Sequence, residues 1–314
     1  MSARATSSST TITSGASCAS STVQRRSGSP AVALEETLSA LARRVPPGSR
    51  QELVGLLRRE PWIRALIARA RRRSWWERLA AARTLAAAGT ELDRELLRRL
   101  LADAHPAVQV AAAGAIERIA DRDIVESVLD QLVDRPLVVR QIQMSALLRT
   151  RGMMLPALLA RLTPDAPPRH LEVWIALAER TADPVCITAA AALAAHPDAQ
   201  VRLAVARALR HFFDPRVLER LAALLRDPDW RVRAAACRTA GSLGDDAFVP
   251  RLREAIGDPA WWVRFRGALA LAQLGEAGRK VLRDVRTGDD RYARDMATMV
   301  SGLSDGSILE LAET

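Results

Sequence analysis

The sequence predicts an all-α fold, an α-α superhelix (a HEAT/armadillo-like solenoid) of about eight helix pairs with a period of about 31 residues. The main observation is a repeated Val-Arg dipeptide. It occurs at Val201-Arg202, Val232-Arg233 and Val263-Arg264 with one constant interval, and Val139-Arg140 lies two such intervals before the first of these. The second observation is composition. Ala, Leu and Arg dominate and aromatic residues make up 4% of the chain, which favours helices with small, closely packed interfaces.

The repeat extends in both directions from these dipeptides, which predicts a solenoid over residues 60–303. In one unit, Val249–Ile256 is predicted as the first helix, residues 257–259 as the turn and residues 260–274 as the second helix. Asp and Pro suit such a turn because Asp caps a helix start and Pro fixes φ. At the same interval of 31 residues, the positions equivalent to the Val-Arg dipeptide in the remaining units are Glu77-Arg78, Val108-Gln109, His170-Leu171 and Arg294-Asp295. The position five residues before the dipeptide, here called the Asp column, holds Asp103, Asp134, Asp165, His196, Asp227, Asp258 and Asp289.

The segments outside the repeats are predicted from composition. Residues 1–30 are rich in Ser and Thr and lack acidic residues, which predicts a disordered tail and leaves a targeting segment or a misassigned start as alternatives. Residues 31–59 are predicted to form N-terminal capping helices, interrupted by Pro46, Pro47 and Gly48. Residues 304–314 are assigned to a C-terminal tail.

The net charge of +10 has two interpretations. Lys280 is the only lysine, so Arg carries nearly all of the charge, either on solvated helix faces or on an anion-binding surface. Cys18, Cys186 and Cys237 show neither metal-site nor disulfide spacing, and no apolar run has the length of a membrane span. We expect a cytoplasmic protein that binds no metal and no other cofactor.

The string DPDWRVRAAACRTAGSLGDDAFVPRLREAIGDPAWWVRFRGALALAQLG resembles the HEAT-like repeats, particularly the short bacterial type first named from phycobilin lyases. The resemblance covers roughly residues 60–303 and is strongest over 196–280. It implies the fold, whereas scaffolds, lyases and DNA-binding proteins all use such repeats. One HEAT-like enzyme, deoxyhypusine hydroxylase, binds two irons through His-Glu pairs. The four histidines of this chain are followed by Pro106, Leu171, Pro197 and Phe212, so we do not expect that activity.

Two groups of arginines are distinguished by their place in the unit. The first, here called the Arg ladder, comprises Arg78, Arg140, Arg202, Arg233 and Arg264. In similar repeats this Arg bonds the turn Asp of a neighbouring unit, so the resemblance implies a structural role, with anion recognition as the alternative. The second group lies further along the second helices, which line the concave side in HEAT-like arrays. Its members, Arg83, Arg207, Arg210 and Arg238, are candidates for partner binding or solvated residues.

Tryptophans supply the remaining candidates for partner binding. Trp75, Trp230, Trp261 and Tyr292 are assigned to equivalent positions before second helices, and we expect these tryptophans to pack on the preceding helix. Trp76 and Trp262 add a second ring and are predicted to be exposed anchors. The unit over residues 165–195 departs from the pattern, with Trp174 in a column of small residues. It either forms the wall of a groove or belongs to a degenerate unit.

These observations predict a non-catalytic scaffold that binds a protein partner on its concave or ridge surface. One alternative is a nucleic-acid-binding protein resembling the alkylation-repeat DNA glycosylases, a class that the basic and aromatic cluster from Arg58 to Arg83 would suit. The other is a chromophore lyase or chaperone resembling the phycobilin lyases. We expect no catalytic residue and no membrane surface as partner, and the sequence does not predict an oligomeric state.

Overall fold

The protein is all-helical, as the sequence predicts. The computed structural model describes residues 47–212 and 214–313, and no strand occurs in these ranges. Short 3-10 turns extend or join several helices. The α-helices are α1 (Pro47–Arg59), α2 (Pro61–Ala68), α3 (Trp75–Ala88), α4 (Arg94–Leu101), α5 (Pro106–Ala113), α6 (Ile116–Ile119), α7 (Arg122–Gln131), α8 (Leu137–Leu147), α9 (Arg151–Leu159), α10 (Pro168–Thr181), α11 (Pro184–Ala191), α12 (Ala199–Ala208), α13 (Pro215–Leu224), α14 (Trp230–Leu243), α15 (Val249–Ile256), α16 (Trp261–Gln273), α17 (Gly275–Val285), α18 (Arg291–Ser301) and α19 (Asp305–Glu313).

The helices from α2 to α18 form eight pairs within the described residues, with the second helix of one pair divided into α5 and α6. Second helices pack on those of neighbouring pairs, as α14 does on α16 and α16 on α18. The packing of second helices differs in the middle of the array, where α10 contacts the 3-10 turn Leu132–Asp134 at the end of α7. Each pair therefore stabilises its neighbours, as expected of an α-α solenoid.

Small residues on the second helices form the core. Val232, Ala236 and Cys237 of α14 are fully buried, and burial raises the pKa of the Cys237 thiol to about 12. Gly241 lies so close to α16 that an added Cβ would stand 2.8 Å from the Cα of Ala270. This contact requires Gly because any side chain would push two neighbouring second helices apart.

The turns between paired helices are held by side-chain caps. The Asp229 carboxylate accepts from the N–H of Arg231 at 2.8 Å, and the preceding acid, Asp227, accepts from the N–H of Asp229 at 2.8 Å. Asp258 likewise accepts from the N–H of Ala260 at 2.8 Å. The Asp column therefore orders the turn, and the acid at the helix start satisfies N–H groups that have no partner within the helix.

The last pair is one residue shorter than the sequence repeat predicts. The residue that precedes α16 is Ala260, and the residue that precedes α18 is Asp290, a step of 30 rather than 31. The buried residue after this position is Val263 in α16 and Ala293 in α18. The dipeptide of the last unit is therefore Ala293-Arg294, which corrects the assignment to Arg294-Asp295 and makes Tyr292 the equivalent of Trp262 rather than of Trp261.

Helices also follow and precede the eight pairs. Helix α1 covers the second predicted capping segment, whereas the first lies outside the described residues, as does the predicted disordered tail over residues 1–30. Residues 305–313, assigned to a C-terminal tail, form α19, whose Ile308 and Ala312 are buried. Helix α19 packs on α16, and the Arg266 Nη1 donates to the Leu311 carbonyl at 2.7 Å. The domain bounds drawn from the sequence stay predictions.

Candidate binding surface

Three members of the Arg ladder bond the turn Asp of the next unit. Arg202 donates from Nε and Nη2 to the two oxygens of Asp227 at 2.6 and 2.9 Å. Arg233 does the same with Asp258 at 2.7 and 2.9 Å. The pair of Arg78 and Asp103 has the same geometry, at 2.5 and 2.9 Å. Each pair is bidentate, the arrangement in which a guanidinium binds a carboxylate most strongly.

Each of these arginines also holds its own turn. The Nη1 of Arg202 donates to the carbonyls of His196 and Pro197 at 2.8 and 2.9 Å. Arg78, Arg202 and Arg233 have raised pKa values, caused first by the hydrogen bond to the paired Asp. Burial alone would raise the pKa of Asp103, but the bonds from Arg78 and from the backbone outweigh burial and lower it. Arg78 and Asp103 are therefore both held in their charged forms.

The other two members of the Arg ladder have no carboxylate partner among the described residues. Arg140 donates from Nε to the Leu132 carbonyl at 3.0 Å and from Nη2 to the Val133 and Arg135 carbonyls at 2.9 and 3.2 Å. Arg264 donates only from Nη1, and its guanidinium carbon lies 5.2 Å from the centre of the Tyr292 ring. The pairing implied by the resemblance therefore varies along the array.

The second group of arginines is divided between the first pair of the array and two adjacent units further along it. Arg210 is paired with Glu179 of the preceding unit, at 2.8 Å from Nε and 2.5 Å from Nη2. Arg207 is exposed, Arg83 is partly buried in the first pair of the array, and Arg238 is partly buried on the unit after that of Arg207. Burial and then the charge of Arg238 lower the pKa of Arg266, so these two cations lie close to each other. The partner-binding role of Arg83, Arg207, Arg210 and Arg238 stays a prediction.

The aromatic side chains at the starts of second helices are more exposed than expected. Trp75, Trp230 and Trp261 are 45%, 43% and 45% exposed, which corrects the prediction that they pack down on the preceding helix. Trp76 and Trp262, predicted to be exposed, are 58% and 50% exposed. With Tyr292, which is 67% exposed, these residues follow the turns within units and so lie along one edge of the solenoid. We call Trp75, Trp76, Trp230, Trp261, Trp262 and Tyr292 the aromatic edge.

Two rings of the aromatic edge contact His105 and Phe265, which are not among the predicted site residues. Trp75 is stacked on His105, with ring centres 4.1 Å apart and 4° between planes. Trp261 is stacked on Phe265 at 5.0 Å and meets Trp262 edge to face at 4.8 Å. The spacing of four residues between Trp261 and Phe265 places them on one helix face and could have indicated this contact. No local spacing indicates the contact between Trp75 and His105.

Of the two interpretations of Trp174, the structure contradicts the one in which its ring forms the wall of a groove. Its side chain is only 5% exposed and lies in the core. The indole N–H donates to the Leu129 carbonyl at 3.0 Å, and the His170 ring lies 5.3 Å away. Trp174 therefore joins α10 to the end of α7 and does not present a ring to a partner.

The basic residues before α3 adjoin one end of the aromatic edge. Arg71, Arg72 and Arg73 are all exposed, immediately before Trp75 and Trp76. Among residues 47–212 and 214–313, no three His, Cys, Asp or Glu side chains are grouped as a metal site would require. No helix in the same ranges has the length and apolar character to cross a membrane.

The stacked pairs and their exposed edge define a helical-repeat protein with an extended surface. The family model for HEAT repeats matches residues 218–301, and the same helix pair recurs through the rest of the described array. The chain is a HEAT-like repeat protein. No curated protein matches the sequence.

Two solved structures resemble the chain. YibA of Escherichia coli is 16% identical with a TM-score of 0.41, and the alignment covers 90% of this chain and all of YibA. Human deoxyhypusine hydroxylase in complex with glycerol is 18% identical with a TM-score of 0.35, covering 77% of this chain and 97% of the enzyme. Both TM-scores are low, so nothing about function is carried over from either structure.

Proposed function

We propose that the protein is a binding scaffold whose aromatic edge docks a protein partner. The observation that carries this proposal is the exposure of its six rings, from 43% for Trp230 to 67% for Tyr292. Exposing large rings to water is unfavourable, and contiguous exposed apolar area is typical of interaction sites. Trp and Tyr also dominate the energetics of protein interfaces, because they bury a large area with few rotatable bonds.

The aromatic edge has two dense regions. Trp75 and Trp76 start α3 near one end of the array, and Trp261 and Trp262 start α16 near the other. Tyr292 follows one unit later at the start of α18. Because neighbouring helices are spaced by about 10 Å, the second region offers rings from consecutive units to one extended partner. A partner that spans both regions would contact most of the solenoid.

The charges beside the second dense region favour a protein over a polyanion. Arg231 is paired with Asp229 at 2.6 Å, and Arg233 is paired with Asp258. These pairs compensate the positive charge that follows Trp230, and beside Trp261 the Arg ladder leaves Arg264 alone without a carboxylate partner among the described residues. A nucleic acid, by contrast, is held mainly by cations on its phosphates.

A nucleic acid is the second candidate partner, favoured by one specific observation. Arg71, Arg72 and Arg73 are exposed beside Trp75 and Trp76, a mixture that suits phosphate contact together with base stacking. Such binding would depend on the first dense region and would weaken steeply as salt rises. The two candidates therefore differ in location and in salt dependence.

The proposal is tested by capture from host lysate with the full chain at low and high salt. The wild type is compared with Trp76→Ala plus Trp262→Ala, and with a control, Leu92→Ala. Leu92 is 92% exposed in the connection between two units, on the edge opposite to the turns within units. The captured protein is then purified and its affinity for each variant measured.

We expect a defined protein that stays bound at high salt and binds the Trp variant at least tenfold more weakly, since truncating an anchor costs about 2 kcal/mol or more. The control should bind as the wild type does. Equal binding of the Trp variant and the wild type would contradict the proposal. Capture of nucleic acid at low salt only would favour the second candidate.

A further inference from the structure

The Arg ladder repeats one arrangement from unit to unit. In Arg233, Nη1 donates to two carbonyls of its own turn, Asp227 at 2.7 Å and Pro228 at 3.1 Å. This fixes the plane of the guanidinium and leaves the edge formed by Nε and Nη2 facing the next unit. There it meets both oxygens of Asp258. The edge of a ladder Arg is therefore a binding site for one carboxylate.

Arg264 keeps the first half of this arrangement. Its Nη1 donates to the carbonyls of Asp258 at 2.8 Å and Pro259 at 3.0 Å, as Arg233 does one unit earlier. Its Nε is shielded from solvent and bonds no described residue. Its Nη2 likewise has no bond within the described ranges. The edge of Arg264 is oriented like that of Arg233 but holds no carboxylate.

The missing acid follows from the one-residue deletion in the last unit. The N–H of Gly288 bonds the Val285 carbonyl at 3.0 Å, as the N–H of Asp258 bonds the Ala255 carbonyl at 3.2 Å. Arg294 then donates to the Gly288 carbonyl at 2.8 Å, as Arg264 does to that of Asp258. Gly288 therefore occupies the position at which the ladder carries Asp.

The two acids that line the space beside Arg264 are engaged elsewhere. Asp258 binds Arg233 with both oxygens. Asp290 caps α18, where its Oδ1 accepts from the N–H groups of Tyr292 and Ala293 at 2.9 and 3.2 Å. A half-open cavity of about 420 Å³ lies between Arg264 and these residues, many times the share of liquid volume of a single water, about 30 Å³. The cavity is lined by Gly257, Asp258, Pro259, Arg264, Asp290 and Tyr292.

We propose that this cavity is a carboxylate-binding site, in which the Nε and Nη2 edge of Arg264 receives an Asp or Glu side chain of the protein partner. The proposal rests on the docking function proposed above and adds the chemistry of one partner residue. In the three ladder pairs, Nε and Nη2 of the Arg each bind one oxygen of the Asp, so we expect the ligand of Arg264 to be a carboxylate bound by both oxygens. Tyr292, which lies over the guanidinium and is 67% exposed, rotates aside to admit it.

The site is placed to act together with the aromatic edge. Trp262 and Tyr292 occupy equivalent positions in consecutive units, and both are exposed. An apolar side chain of the partner on Trp262 would therefore bring a neighbouring acid to Arg264. The ring contact provides area, and the bidentate pair fixes which residue lies in the cavity.

The variant Gly288→Asp supplies the missing acid from the chain itself. A Cβ at Gly288 would lie 3.4 Å from the Val285 carbonyl oxygen, an ordinary contact, and the residue does not require a left-handed backbone. The new carboxylate should occupy the edge of Arg264 and raise the melting temperature. It should also block the site without removing Arg264 or any ring, which makes it a sharper test than deleting the Arg.

The first experiment uses a small probe and needs no partner. N-acetylglutamate amide is titrated against the isotope-labelled full chain, and the Nε–H resonance of Arg264 is assigned by its absence in Arg264→Gln. We expect a saturable shift with the glutamate probe, none with N-acetylglutamine amide, and none in Gly288→Asp. Absence of a saturable glutamate-specific shift in the wild type, or an equal shift in Gly288→Asp, would overturn the proposal.

The second experiment uses the purified partner and separates the two proposals. Gly288→Asp and Arg264→Gln should each bind the partner about tenfold or more weakly, as expected for a lost charge-assisted pair. If Trp262→Ala weakens binding and Gly288→Asp does not, the carboxylate site is wrong and the docking surface stands. If neither change weakens binding, the docking surface itself is wrong. Circular dichroism and melting curves of each variant show that folding is intact.

Discussion

The pair of Arg233 and Asp258 offers a direct measure of what one rung of the Arg ladder contributes. Its two bonds, at 2.7 and 2.9 Å, lie in the range of charge-assisted hydrogen bonds. The Arg and Asp side chains are only 15% and 11% exposed. We predict that Arg233→Leu and Asp258→Asn each lower the free energy of unfolding, and that their effects do not add.

The magnitude follows from burial and geometry. Two unit charges about 4 Å apart attract by about 1 kcal/mol in water and about 4 kcal/mol at the effective dielectric constant near a protein surface. Desolvation of the partly buried groups offsets part of this gain. We therefore expect a coupling energy of about 1.5–2.5 kcal/mol. Asn at position 258 keeps an acceptor for the N–H of Ala260, so the coupling reports the ion pair and not the loss of the turn contact.

The assay is urea denaturation of the wild type, the two single variants and the double variant. The coupling energy is the difference between the double-variant effect and the sum of the single effects. Equal dependence on urea in all four proteins would show that the same surface is exposed on unfolding. A coupling energy below about 0.5 kcal/mol, as at exposed pairs, would refute the ladder as a stabilising contact. It would also remove the expectation that Gly288→Asp raises the melting temperature.

Three further predictions concern stability. The pKa of Asp103 is lowered in the folded state. The stabilisation from its carboxylate is therefore present above the unfolded pKa of about 3.9 and is lost as the pH falls through the folded pKa. The difference in melting temperature between the wild type and Asp103→Asn should accordingly shrink from pH 7 to pH 3. Trp174→Phe leaves the Leu129 carbonyl without its donor and should cost about 1–2 kcal/mol in urea denaturation, against about 3–5 kcal/mol for Trp174→Ala; an unchanged free energy of unfolding in Trp174→Phe would contradict the role of the hydrogen bond. Gly241→Ala should destabilise by about 1–2 kcal/mol because overpacking exceeds the gain in helix propensity, and an unchanged or raised unfolding midpoint would contradict the close approach of α14 and α16.

The helical repeat could be predicted because equivalent positions in consecutive units carry the same type of side chain. Val232 and Val263 are fully buried, and an apolar residue with the same spacing is visible in the sequence. The regular interval between dipeptides places the last unit one residue too far along the chain, because the sequence shows no mark of the deletion. The shorter step of 30 residues is visible only in the structure, where Asp290 caps α18 and Ala293 is buried. The turn before α18 is polar throughout, so no apolar residue in it marks the register of the repeat.

The exposure of the rings could be predicted only in part. The double tryptophans indicated that Trp76 and Trp262 face solvent, because two adjacent large rings do not fit one turn. The sequence does not fix which way a ring at a helix start rotates, and Trp75 and Trp230 are exposed although packing is predicted for them. Trp174 is buried because its indole N–H finds the Leu129 carbonyl, 45 residues away in the chain. No local pattern shows a partner at that separation.

Arg140 shows why the absence of a paired Asp does not by itself create a binding site. Its Nε and Nη2 bond carbonyls of its own turn, so the edge that would receive a carboxylate is already occupied. Arg264 differs because its Nη1 alone is engaged, and the guanidinium keeps the orientation of a paired ladder Arg. Two conditions are therefore needed, the loss of the acid at Gly288 and the retention of the turn that holds Arg264. An acidic residue supplied at Gly288 should therefore remove the binding property while completing the repeat.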